Sequence, residues 1–169
     1  MMQTDKKVLD ATCSCRGMWF NKENPLALYV DRRDEHFEEN YPSGKKSITV
    51  KPDIIADFTD LPFDDNTFYH VVFDPPHSII LSDKACVTKR YGRLPSDRWE
   101  EVLRRGFEEC MRVLKPNGTL IFKWCEIEIP VSKVIQVIGY EPLYGHHSGK
   151  KSKTHWMAFL KTEAEHDQS

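Results

Sequence analysis

Short apolar runs alternate along the chain with segments of helical period, and this alternation predicts an α/β domain built on a mainly parallel sheet. Residues 7–11 (KVLDA) read as a first buried strand, 26–33 (LALYVDRR) as a second, 53–58 (DIIADF) as a third and 69–74 (YHVVFD) as a fourth. Between the first two, 16–23 (RGMWFNKE) reads as a short helix, and the polar stretch 34–52 as a helical turn followed by a loop or small hairpin. From Asp97 onward Trp99, Val102 or Leu103, Phe107, Cys110 and Leu114 recur at the spacing of one helical face. Asp97 with Glu100 three residues later makes a candidate capping box, and 115–118 (KPNG) is the expected stop. Residues 119–124 (TLIFKW) then form a fifth strand and 131–139 a helix ending in glycine. Two strands, 141–145 and 154–161, close the domain around a polar turn.

Composition narrows this picture. A chain of 169 residues, 40% apolar, fits one domain with one core. The domain is expected over 1–161, with 162–169 (TEAEHDQS) a disordered polar tail. No apolar run approaches the ~20 residues of a membrane span, and MMQTDKK at the start has no apolar stretch behind it, so a soluble, cytoplasmic protein is expected. Cys13 and Cys15 are one residue apart where zinc sites use about two to four, so no metal site is expected. A net charge of −2 excludes a general basic coat and leaves only local basic surfaces.

In an open parallel sheet, ligands bind at the carboxyl ends of the strands, near the point where strand order reverses. Asp10, Asp31, Asp57 and Asp74 end the first four strands. The run ADFTDLPFDDNTFYHVVFDPPH, followed by FEECMRVLKPNGTLIFKW, resembles the third to fifth strands of class I S-adenosylmethionine-dependent methyltransferases, and the likeness extends over nearly the whole chain. FDPPH also resembles the (D/N/S)PP(Y/F/W) motif of enzymes that methylate exocyclic amino groups of nucleic-acid bases, with His77 where an aromatic ring is usual.

That resemblance implies a single Rossmann-like domain: a mainly parallel seven-stranded sheet with an antiparallel last strand and helices on both faces. It implies S-adenosylmethionine as cofactor. Asp31 would accept the ribose hydroxyls, and Asp57 the adenine amine with Phe58 packed on the purine. Asp10, Ala11, Thr12, Cys13 and Ser14 would face the methionine end, beside Asp74. One departure stands out: the loop after the first strand is usually glycine-rich, and DATCSCRG places Thr12, Ser14 and Arg16 near the expected glycines.

The chemistry of the corner itself is legible. The Asp74 carboxylate and the Pro75 carbonyl can each accept one N–H of an aromatic amine, freeing its lone pair, while Pro75 and Pro76 fix the corner beforehand. The product nitrogen would lose its proton to Asp74 or water. His77 can stack on the base, hydrogen-bond the substrate or act as a base near neutral pH. Lys84, Lys89, Arg90 and Arg93, with Tyr91 among them, and Lys150, Lys151 and Lys153 are expected on the same edge, suited to a phosphate backbone. Lys123, Trp124 and Glu126 are expected to line the substrate pocket.

The expected function is therefore methyl transfer to an exocyclic amine, of a DNA or RNA base. A methyltransferase on a small molecule or protein remains an alternative, as does a non-catalytic subunit of a heteromeric enzyme. A dehydrogenase is disfavoured because no G-x-G-x-x-G follows the first strand. A recognition domain does not fit in this length, so selection would fall to residues 78–95, to substrate shape, or to a partner subunit or second copy of the chain.

Overall fold

A computed structural model of the chain describes residues 2, 4–41, 44–82, 86–147 and 153–162. Its strands are β1 (Val8–Asp10), β2 (Ala27–Asp31), β3 (Glu35–Tyr41), β4 (Gly44–Val50), β5 (Ile54–Ile55), β6 (Phe68–Phe73), β7 (Leu114–Cys125), β8 (Tyr144–His147) and β9 (Thr154–Leu160). The helices are α1 (Cys86–Tyr91), α2 (Trp99–Val113) and α3 (Val131–Ile138). Seven strands form one sheet in the order β5-β2-β1-β6-β7-β9-β8, in which β9 alone runs against its neighbours. The expected mainly parallel sheet with a reversed last strand is present.

This order places the site. The chain steps outward from β1 through β2 to β5, then returns to lay β6 on the other side of β1. Strand order therefore reverses between β1 and β6, and the carboxyl ends there carry Asp10 and Asp74.

Side-chain alternation divides the sheet into two faces. Leu9, Leu28, Val30, Val71 and Phe73 join Leu103, Phe107 and Cys110 of α2 and Val134 and Ile138 of α3 in the main core. Val8, Ala27 and Tyr29 face the other way, with Cys13 and Trp19. The helices α2 and α3 thus share one face. On the other, the helix expected over 16–23 is a run of turns. Ser14 and Arg16 take left-handed φ angles of 47° and 54°, which do not start a helix. The Arg16 guanidinium donates to the Lys22 and Lys51 carbonyls and to Asp53, and lies 3.8 Å over the Tyr29 ring. Trp19 packs edge-on against the same ring. Single side chains cover this face where a helix was expected.

Other elements also shifted. Within 34–52 the expected hairpin is present, Glu35–Tyr41 pairing with Gly44–Val50, without a helical turn among the described residues, and the third strand of the sheet shrinks to Ile54–Ile55. The expected capping box is absent, since Arg98 precedes α2 without a side-chain cap. The helix does stop just ahead of 115–118, at Val113, and Pro116 and Gly118 lie in the strand that follows. The chain passes from α2 into β7, with Asn117 at φ 63° and a register slip between the Phe68↔Leu114 and His70↔Thr119 pairs. The carbonyls at the end of α2 are closed by a distant residue. Buried Lys161 donates from Nζ to the oxygens of Met111 (2.8 Å) and Leu114 (2.7 Å), and to Asn66 Oδ1.

Among the described residues no helix is long and apolar enough to cross a membrane. The expected tail beyond Thr162 lies outside the described residues, as do Lys84, Lys150 and Lys151.

Candidate active site

The crevice between β1 and β6 is built by the two loops that leave those strands. Thr12, in the first loop, accepts the Asp74 backbone N–H on Oγ1 at 2.9 Å, and so ties the DPP corner to the end of β1. Ser14 sits at a left-handed position, and its own bonds offset that strain. Its N–H donates to Asp31 Oδ2 (3.0 Å) and its hydroxyl to the Arg90 carbonyl (2.7 Å).

Asp74 projects half-buried from the corner and pairs through Oδ2 with Lys123 Nζ at 2.6 Å. Burial raises its pKa, and the Lys123 charge opposes that rise. Pro75 and Pro76 are buried behind it. His77 stands edge-on to Trp124, with ring centroids 6.4 Å apart, and burial lowers its pKa, so the imidazole is neutral near pH 7. Glu128 holds the turn that follows. Its carboxylate accepts the Ser78 hydroxyl and the backbone N–H groups of Ile79 and Ile80, at 2.8, 2.6 and 3.2 Å.

Ala11, Thr12, Ser14, Asp31, Phe58, Asp74, Pro76 and Tyr91 meet around one cavity of about 20 Å³. A second cavity, of about 170 Å³, continues past Phe58 and Pro76 to Asp57 and Arg105. Both are small beside the roughly 300–1,000 Å³ of a ligand pocket. Arg33 lines the first of them. Its guanidinium holds Asp31 with Nε on Oδ1 (3.0 Å) and a terminal nitrogen on Oδ2 (3.2 Å), and also donates to the carbonyls of Lys89 and Arg90. The donor set otherwise suits an adenosyl group: a two-oxygen acceptor ending β2, the Phe58 ring, and small Ala11 at the bend. Arg33 and the ribose hydroxyls need the same oxygens, so entry of such a group requires Arg33 to move.

The other expected positions lie as follows. Asp10 is buried and does not line the cavity. It accepts Trp19 Nε1 (2.7 Å) and the Thr12 N–H (3.2 Å), and burial raises its pKa to about 7. Cys13 lies in the Tyr29 cluster on the other face of the sheet. Trp124 is fully buried, with its indole N–H on the Ile129 carbonyl, and supports His77 from beneath. Glu126 accepts the Val131 N–H at the start of α3. Asp57 is exposed, with one carboxylate oxygen taken by Thr59.

The basic residues also part company. Lys89 is exposed beside Arg33 and Arg93 in an open groove. Arg90 lines instead a cavity of about 750 Å³, which lies on the Tyr29 face between the hairpin and residues 14–25, away from Asp74. Arg33, Glu128 and Ser78 were missed by sequence reasoning. Ser78 and Glu128 meet across about fifty residues, and Arg33, beside its near partner Asp31, reaches the carbonyls of Lys89 and Arg90 56 and 57 residues on, contacts that no local pattern signals.

No known protein-family profile and no curated protein matches this sequence. Solved structures match its fold. A SAM-dependent methyltransferase from Methanosarcina mazei is 12% identical with a TM-score of 0.53, covering 95% of this chain and 94% of that one. The N-methyltransferase NodS from Bradyrhizobium japonicum WM9 is 11% identical at 0.53, covering 94% and 86%. The Burkholderia thailandensis 1,6-didemethyltoxoflavin-N1-methyltransferase, solved with S-adenosylhomocysteine, is 13% identical at 0.50, covering 94% and 72%. At these identities the likeness is one of fold, and the chain has the class I methyltransferase fold.

Proposed function

We propose that the chain is an S-adenosylmethionine-dependent methyltransferase acting on an exocyclic amine, most readily that of a nucleic-acid base. One observation carries the reading: the Asp74 carboxylate stands partly accessible at the switch point of the sheet, with a rigid Pro75-Pro76 corner beside it and Asp31 across the same cavity. A carboxylate whose pKa is perturbed by burial and by a specific charged partner, at a crevice, marks a candidate functional group.

Bound S-adenosylmethionine supplies an electrophilic methyl group on a sulfonium. Asp31 would hold the ribose once released by Arg33, Phe58 would pack on the adenine, and Ala11 and Thr12 would bound the methionine end. Asp74 and the Pro75 carbonyl would each accept one N–H of the target amine, so that the nitrogen lone pair turns out of conjugation. The neutral His77 ring, braced by Trp124, would stack on the base. A proton must leave the methylated nitrogen, and water at the open crevice or Asp74 can take it.

A small-molecule amine is the second reading. It is favoured by the parting of the basic residues, since Arg90 turns to the opposite face and so weakens the case for a continuous phosphate track.

The test is transfer of a labelled methyl group to duplex DNA, single-stranded DNA, transfer RNA, ribosomal RNA and a metabolite extract, followed by digestion to nucleosides. Label on an exocyclic amine, abolished in Asp74→Ala while S-adenosylhomocysteine affinity changes little, is the expected result. Wild-type turnover in Asp74→Ala would overturn the role of the corner.

A further inference from the structure

We propose that the cavity on the Tyr29 face of the sheet is a second ligand site, which takes a phosphate ester of nucleotide size. It is separate from the methyl-transfer crevice and does not depend on the reading above.

The cavity lies where turns and a hairpin cover the sheet in place of a helix. It measures about 750 Å³, within the roughly 300–1,000 Å³ of a small-molecule pocket. Five cations line it, Lys6, Arg16, Lys22, Lys51 and Arg90, against two carboxylates, Glu23 and Asp53. In a chain of net charge −2 that excess is local. One of the two acids is already engaged: Asp53 accepts Arg16 on Oδ1 (2.9 Å) and the Tyr29 N–H on Oδ2 (3.0 Å). Arg16 also ties the two walls together. Lying over the Tyr29 ring, its guanidinium donates to the Lys22 carbonyl at 2.7 Å and to the Lys51 carbonyl at 2.9 Å, and so fixes the backbone of one lysine on each side. The ammoniums of Lys22 and Lys51 have no partner among the described residues, and that of Lys6 gives a single hydrogen bond, to the Pro25 carbonyl.

These donors select the anion. An arginine fork suits a planar carboxylate, but the terminal nitrogens of Arg16 are committed to two carbonyls and Asp53, and Arg90 donates to Cys15 Sγ at 3.5 Å. What remains is three ammoniums, compact point charges whose donors turn freely. A phosphate monoester matches them, since it carries a charge of about −1.5 to −2 near pH 7 on three acceptor oxygens, where a carboxylate carries a single charge on two. Pro25, Ala27, Ile48 and Pro52 supply apolar wall for the organic part of the ester. Enclosure between two walls favours a small molecule over a strand, whose phosphates recur along an open track.

The test titrates uridine 5′-diphosphate, inorganic pyrophosphate, uridine, malonate and a single-stranded oligonucleotide into three proteins by calorimetry. These are the wild type, the double variant Lys22→Gln, Lys51→Gln, and the double variant Lys115→Gln, Lys133→Gln, which removes the same charge outside the cavity. Uridine 5′-diphosphate lacks adenine and so is a poor mimic of an adenosyl group. It should bind the wild type at one site, about tenfold or more tighter than uridine or malonate, and pyrophosphate should displace it. Its affinity should fall about tenfold or more when Lys22 and Lys51 are replaced, as expected for two charge-assisted contacts. It should hold when Lys115 and Lys133 are replaced, and in the presence of S-adenosylhomocysteine. Lys22 and Lys51 are both exposed, so their replacement should leave the melting temperature unchanged. Equal binding with and without those two lysines, displacement by S-adenosylhomocysteine, or malonate bound as tightly as the diphosphate overturns the proposal. So does the absence of binding by both the diphosphate and pyrophosphate at millimolar concentration. An oligonucleotide that loses affinity on replacement of Lys22 and Lys51 while the diphosphate does not overturns it as well, and assigns the face to a nucleic-acid strand.

Discussion

At the scale of single residues, Asp10 illustrates what a sequence does and does not disclose. Its place at the end of β1 was readable; its burial was not, because the group that encloses it, Trp19, belongs to a segment that reads as helix and folds as turns. Burial raises the Asp10 pKa from 3.8 to about 7. The folded state therefore holds this proton more tightly than the unfolded chain. The associated stability is fully present below about pH 4 and is lost as pH rises through 7. Melting temperature should accordingly fall between pH 5 and 8 in the wild type, and fall less steeply in Asp10→Asn, which stays neutral throughout. Parallel melting curves for the two proteins would contradict the buried-acid account. Asp74 and its prolines, by contrast, were legible as chemistry from sequence, since a carboxylate before two residues without a backbone donor has few structural uses. Lys123 was placed near the pocket by strand arithmetic, but its pairing with Asp74 depends on the register of two strands nearly fifty residues apart.

At the scale of elements, the long amphipathic α2 and the strongly apolar β2, β6 and β7 followed the hydrophobic pattern because burial decides them. The elements that diverged are those fixed by distant partners. Arg16 binds Lys51 and Asp53 across 35 and 37 residues, and Lys161 closes α2 across about 50. The packing of α2 on the site is itself testable. A Cβ at Gly106 would overlap the Phe58 ring and stand 3.2 Å from Phe73 Cζ. Gly106→Ala should cost about 1–3 kcal/mol by overpacking, a fall of roughly 2–4 °C in Tm per kcal/mol. It should also weaken S-adenosylhomocysteine binding, because the displaced Phe58 lines the cavity. Loss of stability with unchanged affinity would separate Phe58 from the cofactor. Glu128→Gln offers a contrasting case. An amide cannot accept the Ser78, Ile79 and Ile80 donors together, so the turn after His77 should loosen. Methyl transfer should drop about tenfold or more with S-adenosylhomocysteine affinity retained, as read by single-turnover transfer beside calorimetry.

At the scale of the whole molecule, two halves of the sheet meet at the β1/β6 crevice, and Arg33 fastens the segment around Lys89 and Arg90 across it. Arg33 also lines the cavity of about 20 Å³ there. Removing the fastening and removing the stability it provides are the same act. Arg33→Ala leaves Asp31, whose side chain is only 8% exposed, without its cation, and such a carboxylate destabilises the fold. The same variant takes the guanidinium off both Asp31 oxygens, leaving only the backbone N–H groups of Ser14 and residue 33 on them, and no longer needs four guanidinium hydrogen bonds broken before a ligand enters. A ligand that binds only the open form gains affinity in proportion to the population of that form. Arg33→Ala should thus melt below the wild type yet bind S-adenosylhomocysteine more tightly, by about tenfold, with a correspondingly larger ligand-induced rise in Tm. Calorimetry and thermal denaturation on the same samples read the two effects, which have opposite signs only if Arg33 competes with the cofactor. Were both stability and affinity to fall together, Arg33 would belong to the bound state's own contacts, and the closed cavity would be the form that the ligand reshapes rather than the form it must displace.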